Sequence, residues 1–416
     1  MRSTTRLFLI GCLLCNLPEA SSAYSVLTHE QLIDLSWKDL LQPLLLKRFP
    51  KVTAADLQAA HAYAYGGCAI QDLGYYPFSN EFFSDLTHYV RSGDFIVNLL
   101  RDARTPNEYA FALGALSHYV GDNVGHRDAI NPATAISFPK LERKYGAAVT
   151  YDQNPHAHIR TEFAFDIDQL SKHRLAPGAY LRFIGFQVPY HLLAQSFAET
   201  YSFPLHDVLG PGRQAIRSYR GSVRSVLPRF AYAETVLHRN DFPSDIADDS
   251  LKTFLDRIVQ ADFQTVWNRY RRNPGIQTRV LALLIRILPR IGPLSDLAIK
   301  IPTQDTQGLY IKSVNHAVEI YAGFLKQLAD RPILDPVIPN RDLDTGEKAQ
   351  RGAYERADKT YAKLLHKITT DSQGSIAPDL RQDILDYYSN PNAVTARKQD
   401  REWTQVVKDL AILRGL

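Results

Sequence analysis

Apolar residues recur at steps of three and four along most of the chain: Leu32, Leu35, Leu40 and Leu44 near the start, then Leu113, Leu116 and Val120, and later Phe254, Ile258 and Phe263. That spacing places side chains on one face of an α-helix, whereas the strict alternation of a half-buried strand is rare. The pattern predicts an all-α, multi-helix protein. Loops are expected at Gly66–Gly67, Ala147–Pro155, Leu209–Arg213 and Leu334–Gly346, where glycine, proline, asparagine or aspartate cluster. No internal repeat or low-complexity tract interrupts the pattern.

The first 23 residues follow a different rule. Arg2 and Arg6 give a positive start, Leu7–Leu17 a short apolar core, and Ser21-Ser22-Ala23 the small residues that precede a cut. The expectation is a signal peptide cleaved after Ala23, a mature chain beginning at Tyr24, and a secreted or periplasmic protein. A lipoprotein cut at Cys12 would leave only Leu7–Ile10 as apolar core, which is short for an export signal. With Cys12 and Cys15 removed, Cys68 is the sole thiol and no intramolecular disulfide can form. The apolar stretch Arg279–Pro302 is broken by Arg286, Arg290, Lys300, Pro289 and Pro293, so it reads as an amphipathic or buried helix pair, with membrane-surface contact as the alternative.

At 416 residues, 45% hydrophobic and 22% charged, the chain is long enough for one large or two moderate domains. Its net charge of +4, from 48 basic against 44 acidic residues, is too small and dispersed for a nucleic-acid groove, and no stable nucleic-acid partner is expected. Histidine is distributed unevenly. Seven of the thirteen (His29, His61, His88, His118, His126, His156, His158) precede residue 160, interleaved with Asp72, Asp122 and Glu162 nearby. The chemistry is therefore expected in residues 24–225, and 226–416 reads as a helical C-terminal region of unassigned role.

The densest signal is the run from Ala115 to His126. His118, Asp122 and His126 follow at steps of four, drifting only about 40° per step on a helix of 3.6 residues per turn, so they share a face. On an otherwise apolar helix that face suits a metal better than solvent, because unpaired polar groups are costly to bury. His158 and Glu162 repeat the spacing, whereas His156 has Arg160 as its turn-mate, which would repel a cation. Nitrogen and carboxylate donors of this kind suit zinc. The expected new N-terminus adds a third candidate: a free α-amine and its adjacent carbonyl form a five-membered chelate, and His29 lies five residues beyond Tyr24. The competing reading has Ser25 or Thr28 merely capping a helix that begins near Glu30.

These pieces together resemble the zinc-dependent phospholipase C group, related more distantly to the S1/P1 nucleases and close in motif pattern to the glycosylphosphatidylinositol-specific phospholipase domain. The residues carrying the resemblance are Tyr24 with Thr28-His29, the stretch Gly67–Pro77 around Asp72, His88 in Asp85-Leu86-Thr87-His88, the helix Ser117–His126, and His158 with Glu162. It covers about residues 24–200. The resemblance implies up to three zinc ions: one on Asp72, His88, His118 and Asp122, one on His126, His158 and Glu162, and one on the Tyr24 amine and carbonyl, His29 and Asp122. It further implies hydrolysis of a phosphodiester by a metal-activated water, with Asp72 as catalytic base.

Substrate is less sharply defined. Tyr75, Tyr76 and Phe78 follow Asp72 and could receive a choline head group by cation–π contact, or stack a nucleobase as in the nuclease relatives. The resemblance implies a phospholipid or another phosphodiester, with an S1/P1-like nuclease or a non-catalytic, zinc-stabilised scaffold as the alternatives. The sequence carries no Gly-x-Ser-x-Gly elbow, phosphate-binding Gly-Lys loop, His-Glu-x-x-His helix or Gly-x-Gly-x-x-Gly turn, so serine hydrolase, nucleotide hydrolase, zincin and dinucleotide-dependent chemistries lack support.

Overall fold

The computed structural model describes residues 25–210, 212–272, 275–287, 299–330, 336–370, 376–389 and 400–415. The expected signal peptide and Tyr24 lie outside these residues. Among the described residues there is no strand, and the chain is all-α, as the apolar spacing predicts. A single buried core takes side chains from both the histidine-rich half and the part beyond residue 225. The boundary expected at 225 falls inside an unbroken helical run, from Gly212 through a π-helical turn at Ser222–Val226 to Leu237.

Seven helices set the geometry of the site: α1 (Val26–Ser36), α2 (Ala54–Gly67), α3 (Glu81–Tyr89), α4 (Pro106–Gly125), α5 (Pro155–Ser171), α6 (Gln304–Asp330) and α7 (Glu355–Thr370). The sequence starts α4 cleanly: Thr105 and Glu108 form a capping box and Pro106 occupies the first turn. From Tyr109 to Gly125 every residue of α4 is buried, which requires neighbours on all sides. Helices α1, α2 and α6 and the helix Ser92–Asp102 supply them.

The α2–α4 contact depends on glycine. A Cβ on Gly114 would stand 2.2 Å from the Ala64 carbonyl oxygen, and one on Gly67 2.1 Å from that of Phe111, so the two backbones meet where side chains are missing. The loop expected at Gly66–Gly67 is thus corrected: both residues end α2, and Gly66 is pressed against the Gln187 backbone. Residues 147–154 and 336–346 do run as loops, and Asn154 caps α5 by accepting the Ala157 N–H at 2.9 Å.

Helix α1 begins at Val26, not near Glu30, and its cap comes from elsewhere. The Asp166 carboxylate on α5 accepts the N–H groups of Leu27 and Thr28 at 3.0 and 3.1 Å and the Thr28 hydroxyl at 2.5 Å. This supplies acceptors that the Ser25 side chain does not offer to α1. Tyr310 of α6 lies 2.8 Å from the same hydroxyl, and Tyr321 donates to the Leu113 carbonyl of α4 at 2.9 Å. The C-terminal region therefore braces the helices that carry the histidines.

The later apolar stretch forms a helix at Ile276–Ile287, with Ala282 and Ile285 buried and Val280 and Leu283 exposed, the amphipathic arrangement expected; residues 288–298 lie outside the described ones. Among the described residues no helix is long and apolar enough to cross a membrane.

Candidate metal centre

Four elements converge on Asp122. Its Oδ1 is 3.2 Å from His29 Nε2 of α1, and its Oδ2 is 3.0 Å from His118 Nε2, one turn earlier on α4, and 3.3 Å from His88 Nε2 of α3. Asp72, on the short 3₁₀ turn Gln71–Tyr75 that follows α2, places Oδ1 3.5 Å from His88 Nε2 and 3.9 Å from His118 Nε2. All five side chains are buried. The turn is clamped by the Gln71 amide, which donates to the Ala115 carbonyl at 2.9 Å, and by Ser84, which donates to the Gln71 carbonyl at 2.5 Å.

The rings are oriented from behind. His88 Nδ1 lies 2.7 Å from the Ser84 carbonyl and His118 Nδ1 lies 3.1 Å from the Cys68 carbonyl. A carbonyl can only accept, so each Nδ1 carries a proton, and whenever the ring is neutral its Nε2 lone pair faces the carboxylates. Lone pairs aimed at carboxylates repel unless a cation or proton stands between them.

A second group lies beside the first. Helix α4 ends at Gly125 and His126 opens a π-helical turn, His126–Ile130. The His126 ring stacks on His158 with centroids 4.9 Å apart. His158 contacts Glu162 Oε1 through Nδ1 at 2.6 Å and Asn131 Oδ1 through Nε2 at 2.8 Å. The ligand atoms of His29, His118 and Asp122, of Asp72, His88 and His118, and of His126, His158 and Glu162 lie within 4.8 Å of one another in each set. The single face expected for His118, Asp122 and His126 thus serves all three sets. His156 is exposed and belongs to none of them.

Burial and mutual contact perturb the titration of these groups strongly. Burial pulls His29, His126 and His158 below the ordinary imidazole range and pushes Glu162 well above the carboxylate range. His88 and His118 are also buried, but their bonds and attraction to Asp122 and Asp72 outweigh that and raise both. Asp122 stays well below the usual range, since three histidines offset its desolvation. Clustering of this kind marks functional sites.

The donors fit zinc. They are imidazoles and carboxylates, and both oxygens of Asp72 and both nitrogens of His126 are buried without a hydrogen-bond partner. Such orphaned groups cost free energy that a bound cation would recover.

Of the aromatic candidates, Tyr75 borders the site, its ring 6.2 Å from that of His88, and its buried hydroxyl has no partner. Tyr76 is buried with its ring edge against Tyr219, and Phe78 is exposed, with a left-handed φ of 67°. Three residues near the site escaped sequence reasoning: Asp166, Asn131 and Asp344. Asp344 comes from the loop before α7 and places Oδ1 3.4 Å from His126 Nε2. The loop itself was legible, but no spacing rule ties it to a histidine so distant in sequence.

The span of known proteins that the chain matches coincides with this architecture. The model of the zinc dependent phospholipase C family covers residues 28–208, which include every described residue of the three sets. No curated protein and no solved structure matches the chain. Over residues 28–208, the chain is similar to the zinc dependent phospholipase C family.

Proposed function

We propose that this protein is an exported zinc-dependent phosphodiester hydrolase of the phospholipase C type, holding up to three zinc ions and acting on a phospholipid where it meets the membrane surface. The observation that carries the reading is the division of Asp122, with one oxygen toward His29 and the other toward His88 and His118. A carboxylate so divided is suited to serve two adjacent ions, and Tyr24 would add its amine and carbonyl to the His29 side. Zinc held there supplies Lewis-acid polarisation of a phosphoryl oxygen and lowers the pKa of a water.

The chain's own groups then have distinct tasks. Asp72 has two buried oxygens without hydrogen-bond partners beside His88, which suits a base that takes a proton at Oδ1 or Oδ2. Ser84 and Cys68 hold the imidazoles through their carbonyls, so the ligand geometry is fixed before substrate arrives. Tyr75, with its unpartnered hydroxyl next to His88, is the aromatic best placed to meet a head group.

The test combines metal content and N-terminal residue of the exported protein with hydrolysis of phosphatidylcholine and of single-stranded nucleic acid. Zinc on a chain starting at Tyr24, release of diacylglycerol, and loss of that release in Asp72→Asn with zinc retained are expected. Cleavage of nucleic acid alone would replace this reading with an S1/P1-like nuclease, and zinc without either activity would leave a scaffold.

A further inference from the structure

The C-terminal region reaches into the metal centre through one loop. Asp342 builds it: its Oδ1 accepts the N–H groups of Asp344 and Thr345 at 2.9 and 3.2 Å, and its carbonyl accepts that of Gly346 at 2.8 Å. Gly346 adopts a left-handed φ of 73°, and a Cβ there would lie 2.7 Å from the Asn123 carbonyl of α4. The loop is tied to the framework of the site. Leu343 donates its N–H to the His88 carbonyl at 3.1 Å, the Asn131 amide donates to the Asp344 carbonyl at 3.0 Å, and Tyr119 of α4 donates to the Pro339 carbonyl at 2.5 Å.

Asp344 at the loop's tip is wholly buried. Its Oδ2 accepts the hydroxyls of Tyr89 at 2.8 Å and Tyr354 at 2.5 Å. Its Oδ1 has no hydrogen-bond partner and stands 3.4 Å from His126 Nε2, which has none either. Among the described residues no lysine or arginine pairs with it. A buried carboxylate held only by neutral hydroxyls is expensive, and a cation between Oδ1 and Nε2 would neutralise it. The Asp344–His126 separation fits: two ligand atoms on one tetrahedral zinc, at bonds of about 2.0–2.2 Å, stand about 3.3–3.6 Å apart.

We propose that Asp344 is a fourth protein ligand, delivered by the C-terminal region to the zinc held by His126, His158 and Glu162. The assignment rests on the zinc reading above and goes beyond it. Three protein ligands leave a tetrahedral ion one open position, and a fourth closes it. A zinc held there would be enclosed by the C-terminal region, with Asp344 Oδ1 in the position a phosphate oxygen would otherwise take.

The test is zinc retention by the full-length, zinc-loaded protein during titration with EDTA, read by elemental analysis, for wild type and Asp344→Asn. Asparagine keeps the shape and an acceptor for both tyrosines but is a poor ligand. One zinc equivalent should leave the variant at an EDTA concentration at least about tenfold lower, the others leaving as in wild type. Cobalt substitution should show an altered d–d band for that site alone. Unchanged retention and an unchanged cobalt spectrum in a zinc-replete protein overturn the assignment while leaving the family chemistry intact. A wild-type protein that takes up no zinc overturns both, and zinc uptake without hydrolysis sinks only the enzymatic reading. Should Asp344→Asn fail to fold, Tyr354→Phe keeps the carboxylate and removes one anchor; several-fold weaker retention is expected, and none would overturn the proposal.

Discussion

Asp122 Oδ1 meets His29 Nε2 at 3.2 Å across the packed faces of α4 and α1, while the second oxygen of the same carboxylate faces the other way, toward His88 and His118. Asp122 thus faces donors of two sets at once, His29 on one side and His88 on the other, with His118 common to both. Asp122→Ala should therefore release more zinc than His158→Ala: about two equivalents against one, by elemental analysis after dialysis. Equal losses would show that the two sets do not share the carboxylate.

Asn131 lies 2.8 Å from His158 Nε2 and leaves Nδ1 to face Glu162. Removing such a supporting hydrogen bond typically weakens metal affinity about 10–100-fold. Asn131→Ala should lose zinc from the His126 set by that factor in a chelator competition, with the Asp72 set unaffected.

Metal uptake should release protons. In the metal-free protein, Asp122 and Asp72 outweigh burial and hold His88 and His118 above the ordinary imidazole range, and burial holds Glu162 above the carboxylate range. All three favour their protonated forms, and zinc needs them deprotonated. Binding then expels protons, so apparent affinity rises with pH, by about tenfold per pH unit for each proton displaced. Calorimetric titration near pH 6 in two buffers of different ionisation enthalpy counts them; a value near zero would contradict the geometry.

The glycine seam between α2 and α4 predicts a large effect from a small side chain. Gly114→Ala gains helix propensity but sets a Cβ 2.2 Å from a backbone oxygen that cannot swing aside. The helices must separate, and overpacking of this kind costs about 1–3 kcal/mol or more. Thermal unfolding should show a lower midpoint than wild type. Gly221→Ala, whose Cβ would meet nothing within 4 Å, is the control expected to unfold at or above the wild-type midpoint.

Asp166 anchors the helix that carries His29. Asp166→Ala removes the carboxylate that accepts from the Leu27 and Thr28 N–H groups and the Thr28 hydroxyl at the start of α1, leaving Thr28 only the Ser25 carbonyl and Tyr310. A loss of about 1–3 kcal/mol is expected from denaturant unfolding. A variant as stable as wild type would mean that Tyr310 and the core alone hold α1.

What the amino-acid sequence determined by itself is local. The three- and four-residue apolar spacing, the Thr105–Glu108 cap and the proline between them dictate helices, because backbone hydrogen bonding, capping and the sharing of a face there need only neighbours in sequence. The steps of four linking His118 to Asp122 and His158 to Glu162 likewise place each pair on one helical face. Tertiary structure decided the rest. The glycines at 66 and 67 looked like a turn because close helix approach and chain reversal both favour a missing Cβ, and only the packed partner tells them apart. His126 joined a different donor set from His118 and Asp122 because His158 and Glu162 of α5 stand beside it, and Asp166, Asn131 and Asp344 joined the site from elements far away in sequence. An isolated aspartate followed by a glycine two residues on reads as a turn. It becomes a candidate ligand only because the C-terminal region folds back over the histidines, and long-range burial of that kind has no period along the chain.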